Sequence, residues 1–386
     1  MTELPKNRWL HRFAVLTAMA TLALIGIGGL VTSHEAGMSV PDWPTSYGYN
    51  MFFFPLDKWW HGGNVFYEHS HRLFASGVGF LTAILMVWLL LKEPRKWMKW
   101  LGVAAFLAVV LQGVLGGLRV ILFKDQIGIF HATLAQLFFV LTCAIALFTS
   151  RWWTERRAPA RQAVPQVHGD RAEPVLGAPS RAFIATTILI LFQLMLGATM
   201  RHQHAGLAIR DFPLAYGKLW PATDAASVAQ YNEHRIEITN FNPITAFQIE
   251  LQMVHRIIAV LILCAVAFCA WKVRSPGFSR FGEPPEGGTP NVIRRLAFAW
   301  FGLILCQVAL GAATVLSDKA ADIATAHVLV GALSLATGAM ISIIAFRFPQ
   351  RATGIVPAEA VLKGAQPVDL NGAMEISSAG KLPAAR

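Results

Sequence analysis

Charged side chains are scarce in this sequence. Asp, Glu, Lys and Arg make up 14% of its 386 residues, while hydrophobic types make up 55%. A soluble domain carries about 25% charged residues, so this chain cannot cover a water-facing surface, and its positive mean hydropathy puts it in a bilayer. Cysteine is nearly absent as well. Cys143, Cys264, Cys269 and Cys306 all fall within apolar runs, which excludes a disulfide framework in the loops and leaves them as small packing residues. No cleavable leader is expected: the first apolar run is too long and lacks a small-residue cleavage site, and the 12 residues before it are too few for an organelle transit sequence. A bacterial plasma membrane is the expected location.

What the sequence does have is eight apolar runs, at about 13–32, 72–91, 100–118, 130–149, 182–200, 256–271, 296–316 and 323–346. Each is near the 20 or so residues that a helix needs to cross about 30 Å of hydrocarbon. The predicted fold class is an all-α integral membrane protein with eight transmembrane helices. Lys and Arg set its orientation. With the N-terminus cytoplasmic, inner segments hold 23 of them and outer segments 8, as the positive-inside rule requires, and both termini are then cytoplasmic. The net charge of +11 follows from inner loops facing anionic lipid, so no nucleic-acid partner is implied.

The two halves repeat one another. Ala36-Gly37-Met38-Ser39-Val40-Pro41-Asp42-Trp43-Pro44-Thr45-Ser46-Tyr47-Gly48 returns as Ala205-Gly206-Leu207-Ala208-Ile209-Arg210-Asp211-Phe212-Pro213-Leu214-Ala215-Tyr216-Gly217, with Ala, Gly, Asp, Pro, Tyr and Gly in register. An even number of helices per copy gives both copies the same orientation. This predicts two tandem four-helix bundles related by a pseudo-twofold axis along the membrane normal. The expected divisions are an N-terminal half at 1–150, a cytoplasmic linker rich in Pro and Ala at 151–181, a C-terminal half at 182–348 and a disordered cytoplasmic tail at 349–386. Chemistry should sit where the long outer loops, about 33–70 and 201–254, meet the helix ends.

Each repeat is followed by a His-Arg pair opening an apolar run, His71-Arg72 and His255-Arg256, and then by a later run with one histidine near its start, His131 and His327. In the topology above all four stand at one depth near the outer surface. A lone interfacial histidine is ordinarily a satisfied polar residue, but four at equivalent positions of a duplicated unit predict imidazole pairs that grip two heme irons. Zinc fits less well, since it wants three or four clustered ligands at short spacing. Glu68 lies three residues before His71, on the same face and one turn outward, whereas the second half has neutral Gln252 there. Glu68 reads as an ionisable group at the first site or as a first-turn carboxylate favoured by the helix dipole.

Other positions also carry two readings. Arg72 and Arg256 suit heme propionates or ordinary snorkelling. Gln112-x-x-x-Gly116, Gln193-x-x-x-Gly197 and Gln307-x-x-x-Gly311 each put an amide and a glycine one turn apart, for helix packing or for space beside a flat ligand. The remaining histidines considered, His34, His61, His202, His204 and His234 on outer loops and His11 and His168 on inner ones, are read as solvated.

Taken together, the Glu68-x-x-His71-Arg72 signature, the run into Asp42-Trp43-Pro44, Gln112-Gly113-x-Leu115-Gly116-Gly117-x-Arg119, His131, His255-Arg256 and His327 resemble the heme A synthase family over about residues 10–348. That resemblance implies oxidation of the C8 methyl of heme O, by successive hydroxylations, to the formyl group of heme A used by terminal oxidases. It implies that His71 and His131, with Arg72, flank the substrate heme in the first half, that Glu68 is the catalytic group beside the reacting edge, and that His255 and His327, with Arg256, hold a resident heme b. Heme O synthase and an electron donor are the implied protein partners, and a homo-oligomer stays open. Many family members carry a cysteine pair in the first outer loop, around the positions of Val40 and Ser46. This chain has none there, and His34-Glu35 in the same loop has no assigned role. The competing classes are a di-heme b-type electron-transfer protein, which needs no Glu68 asymmetry, and a transporter, which would want charges or broken helices at mid-membrane.

Overall fold

Hydrocarbon offers no water to satisfy a backbone, so each apolar run must close its hydrogen bonds within itself as a helix. The computed structural model describes residues 7–155, 178–234, 243–274 and 289–347. Those residues form eleven α-helices: α1 (Arg8–Ser33), α2 (Leu56–Trp60), α3 (Asn64–Lys92), α4 (Lys96–Leu122), α5 (Asp125–Thr149), α6 (Arg151–Glu155), α7 (Ala178–His202), α8 (Ala225–Glu233), α9 (Ala246–Arg274), α10 (Thr289–Leu316) and α11 (Ala321–Arg347). All but α2, α6 and α8 are long and apolar enough to cross a bilayer. The protein is a multi-pass, all-helical membrane protein. The ends of the expected linker are helical, in α6 and the start of α7. Residues 156–177, with the expected tail at 349–386, lie outside the described residues.

Every expected run lies within a helix, but the helices overshoot the runs. The excess is largest at α3, expected from 72 and found from Asn64, and at α9, expected from 256 and found from Ala246. Hydropathy marks only the part in hydrocarbon, whereas i to i−4 bonding continues until a residue stops it. These 29-residue helices are about 44 Å long at 1.5 Å per residue, and so they project beyond about 30 Å of hydrocarbon. Gly63, at φ +57, stands just before α3. At α9 a capping box starts the helix: the Gln248 N–H donates to Thr245 Oγ1 at 3.3 Å, and Gln248 Oε1 accepts from the Thr245 N–H at 2.9 Å. Glu68, His69 and Gln252 therefore belong to helices rather than loops.

Lipid tails are as apolar as leucine, so hydrophobicity puts helices into the membrane without choosing which faces meet; small residues do that. α1 packs on α3 and α5, and α4 packs on α3 and α5; α7 packs on α9 and α11, and α10 packs on α9 and α11. The two sets meet through α1 with α11 and α5 with both α7 and α11. At the α1–α11 contact a Cβ on Gly29 would fall 2.9 Å from Thr325 Cγ2, and one on Gly26 would fall 3.3 Å from Leu329. Ile25, Phe139, Ala332 and Ala336 fill the seam.

Candidate functional site

The two repeated loop segments fold alike. Asp42 accepts from the N–H groups of Tyr47 (2.6 Å) and Gly48 (2.9 Å), and Asp211 accepts from Tyr216 (2.8 Å) and Gly217 (2.9 Å). The peptides Trp43–Pro44 and Phe212–Pro213 are both cis. Each turn then enters the left-handed region at Tyr-Gly, φ +50 and +77 in the first copy and +52 and +72 in the second, which is why a glycine closes both motifs. The tyrosine hydroxyls donate to the carbonyls of Ser39 and Ala208.

Burial would raise the Asp42 carboxyl, but hydrogen bonds from Gly48, Thr45 and Tyr47 outweigh it and hold the group below its ordinary 3.8. A depressed carboxylate stabilises above its unfolded pKa and stops doing so as pH falls through the folded value. The first loop should therefore loosen in acid only below about pH 3.8. Asp42→Ala should cost about 1 kcal/mol, since the group is partly solvated, and read as roughly fivefold faster amide exchange at Tyr47 and Gly48 at neutral pH.

Helix-borne side chains clamp these loops down. Glu68 is buried at 4% exposure, with Oε2 accepting from the Val40 N–H at 2.8 Å and Oε1 from Arg72 Nη2 at 2.7 Å. Arg72 also donates to the carbonyls of Val40 (2.7 Å), Asp42 (2.6 Å) and Thr45 (3.0 Å). Gln252 repeats the arrangement without charge: Oε1 accepts from the Ile209 N–H at 2.7 Å, and Nε2 donates to the Ile209 carbonyl at 3.0 Å. Arg256 donates to the carbonyls of Leu214 and Asp211, both at 2.9 Å. The helix-dipole reading of Glu68 is corrected by the longer helix: the first turn of α3 holds no acid, and Glu68 stands in its second turn.

Four histidines form the centre of the arrangement. His71, His131, His255 and His327 each stand in the second or third turn of α3, α5, α9 and α11, so all occupy one end of the molecule. His71 and His131 lie within electrostatic reach of one another, as do His255 and His327. Each ring packs its Cε1 over a glycine of a neighbouring helix, where a Cβ would fall 3.1 Å away for Gly28 with His71, 3.4 Å for Gly116 with His131, 3.4 Å for Gly197 with His255 and 3.1 Å for Gly311 with His327. The Nδ1 atom of every one is buried without a hydrogen-bond partner. A buried polar atom left so costs about 1–3 kcal/mol. Four imidazoles with an unpartnered buried Nδ1, set on four glycines at repeated positions, are more than packing alone calls for. No cluster of three or more His, Cys, Asp or Glu side chains able to hold a bare ion occurs among the described residues.

The Gln-x-x-x-Gly segments join the same arrangement. Gln112 Nε2 donates to the His131 carbonyl at 3.0 Å, Gln193 Nε2 to the His255 carbonyl at 2.8 Å, and Gln307 Nε2 lies 3.4 Å from Nε2 of His327. Arg119 reaches both rings of the first pair electrostatically, and Arg201 reaches His327. Arg201 also ties α7 to α1 through the Gly29 carbonyl at 2.7 Å and Ser33 Oγ at 2.5 Å.

His69 was not visible as special in the sequence. It is 1% exposed, shares a 3.1 Å hydrogen bond with Ser46 Oγ and packs against Phe54 and Trp59. Val40 and Ser46, where the resemblance would place cysteines, are both fully buried and engaged, Val40 through its backbone and Ser46 through His69. His34 stacks on Tyr67 at 4.1 Å. A cavity of about 230 Å³ lined by Arg8, His11, Arg12, Thr149 and Arg151, among others, lies at the opposite ends of α1 and α5, away from the four histidines.

Residues 11–338 match the family described as cytochrome oxidase assembly protein. Among curated proteins, the chain is similar to the heme A synthase of Rhizorhabdus wittichii, 26% identical over 86% of this chain and 92% of that protein. It is likewise similar to the heme A synthase of a Chelativorans species, 25% identical over 83% and 87%, and to that of Shewanella oneidensis, 23% identical over 83% and 90%.

Proposed function

The chain belongs to the cytochrome oxidase assembly protein family, and from that premise we propose that it is a heme A synthase, which oxidises the C8 methyl of heme O to the formyl group of heme A by successive hydroxylations. The observation that carries this reading is the pair of duplicated imidazole cradles, His71 with His131 and His255 with His327, each ring set on a glycine. His71 and His131 take the substrate heme, and His255 and His327 hold a resident heme b. Bound there, heme b supplies electrons to the first site. Heme O synthase and an electron donor are the partners that the reaction requires.

The chain's own residues supply grip, closure and charge. The four glycines let each imidazole seat against a helix wall. Arg72 and Arg256 hold the outer loops over the two sites by their carbonyl contacts, which fixes the loop floor that a heme edge would meet. Glu68 is assigned to the reaction because the neutral Gln252 makes equivalent loop contacts. Contact alone does not call for an acid at this position, so the feature particular to the first site is the negative charge one turn from His71.

The halves 1–150 and 182–348 are proposed as tandem four-helix bundles related by a pseudo-twofold axis along the membrane normal, joined by a cytoplasmic linker. Support comes from the matched loop bonds and the matched helix neighbours. Both termini are proposed to be cytoplasmic with the sites near the outer face, on the distribution of Lys and Arg.

The test is heme analysis by chromatography and mass spectrometry after expression in a host that makes heme O but no heme A. Heme A or its hydroxylated intermediate is expected. Two equivalents of unmodified heme with no oxidised product would overturn the reading in favour of an electron carrier.

A further inference from the structure

Four histidines stand on four glycines, but only three have an amide beside them. One turn before Gly116, Gly197 and Gly311 stand Gln112, Gln193 and Gln307, and each reaches its histidine. One turn before Gly28, the glycine under His71, stands Leu24. The offset that sets Ala36 on Ala205 also sets Gly28 on Gly197 and Leu24 on Gln193, so the two positions are repeat equivalents with opposite chemistry. Leu24 instead packs against the apolar cluster of α3 and its neighbours.

The physical consequence is lateral. Around Gln112 and Gln193 the helical turn that bears the imidazole is tied through its own carbonyl to the neighbouring helix, in surroundings where water cannot compete for the bond. Gln307 lies beside the His327 ring, its Nε2 3.4 Å from the ring Nε2. The turn bearing His71 meets α1 by packing alone, and its ring rests on Gly28 with Nδ1 unpartnered. On the wall that carries its glycine, each of three imidazoles thus has an amide beside it and His71 has none; the His71 turn is held from the loop side alone, by Glu68 and Arg72.

Resting on the two-heme reading above, we infer that Leu24 makes His71 the exchangeable imidazole, the side from which a heme enters and leaves the first site, while His131, tied by Gln112, and the repeat equivalent His255, tied by Gln193, stay fixed. A site that must release its product after each turnover needs one labile side. A site that retains its heme needs none, and Gln193 supplies in the second half the tie that Leu24 leaves out of the first.

The experiment measures heme release from the purified full-length protein in detergent, by transfer to excess apomyoglobin. Wild type should release in two phases, the faster one absent from His71→Ala. Leu24→Gln should slow the fast phase roughly fivefold, the factor expected of one added hydrogen bond, and leave the slow phase unchanged. Gln193→Leu, which puts an apolar side chain into an apolar surrounding, should accelerate the slow phase by a similar factor. Two bound hemes released in phases that neither variant alters would overturn this inference while leaving the two-heme reading intact. A protein that binds no heme at all would overturn both.

Discussion

Glu68→Gln should keep both hemes and lose heme A formation. The second half already has the variant's geometry: Gln252 holds its loop with Oε1 on a backbone N–H at 2.7 Å and Nε2 on a carbonyl at 3.0 Å, and Arg256 rests on loop carbonyls without a carboxylate hydrogen-bonded to it. An amide at position 68 can reproduce those contacts, so the loop over His71 should stay closed. The charge is what goes. Turnover should fall about 100-fold or more, the range typical of removing a group that moves or stabilises a proton, and the reduction potential of the first-site heme should rise because Arg72 is no longer neutralised. Glu68→Ala is the contrasting variant. It leaves the buried Val40 N–H without an acceptor and Arg72 with its loop carbonyls alone, at a cost of about 1–3 kcal/mol. First-site heme should then be lost along with activity. Wild-type heme A output from Glu68→Gln would show that contact, not charge, is what the reaction needs from this residue.

His327→Ala should give a protein with one heme fewer, the remaining heme being the one at His71 and His131. The pairs are carried on different helices and lie over different glycines, so emptying one cradle leaves the other's ligands in place. Heme A formation should fall to background because the second site no longer supplies electrons, while heme O still binds. Gly311→Val tests the cradle without touching the imidazole. Even a Cβ there falls 3.1 Å from His327 Cε1, and a branched side chain must displace the ring. The same loss of one heme is expected, read from the bis-histidine absorption bands and heme-to-protein ratio. Retention of both hemes in Gly311→Val would separate the glycine from ligand binding.

Much of this was legible in the linear sequence, and what was missed follows a pattern. The eight crossings appear as apolar runs because transfer into hydrocarbon is a property of each segment by itself. Their ends do not, since a helix stops at a local bond such as the Thr245–Gln248 box or at a glycine such as Gly63, which hydropathy does not register. Thr-x-x-Gln before an apolar run was a usable signal for the start of α9. The repeat singled out all four histidines, because duplication multiplies a weak signal. It could not distinguish the two readings of Gln-x-x-x-Gly. The structure shows the glycine making room for an imidazole and the amide reaching the histidine that the glycine seats.

Arg72 and Arg256 illustrate the limit. Sequence offered propionates or snorkelling for them, and their observed contacts are loop carbonyls some 30 and 45 residues away in the chain. A carbonyl is present at every residue, so no residue type marks which ones an arginine will find. His69 carries no local signal for the same reason: its partner, Ser46, lies 23 residues away in a loop whose path is set by the turn at Asp42. The sequence by itself determined the membrane, the number of crossings, the duplication and the four imidazoles, all of which depend on residue type and local spacing. Only the tertiary structure decided which glycine lies under which ring, which amide braces which turn and what closes the loops, because those depend on distances between helices that side-chain packing, not chain order, sets.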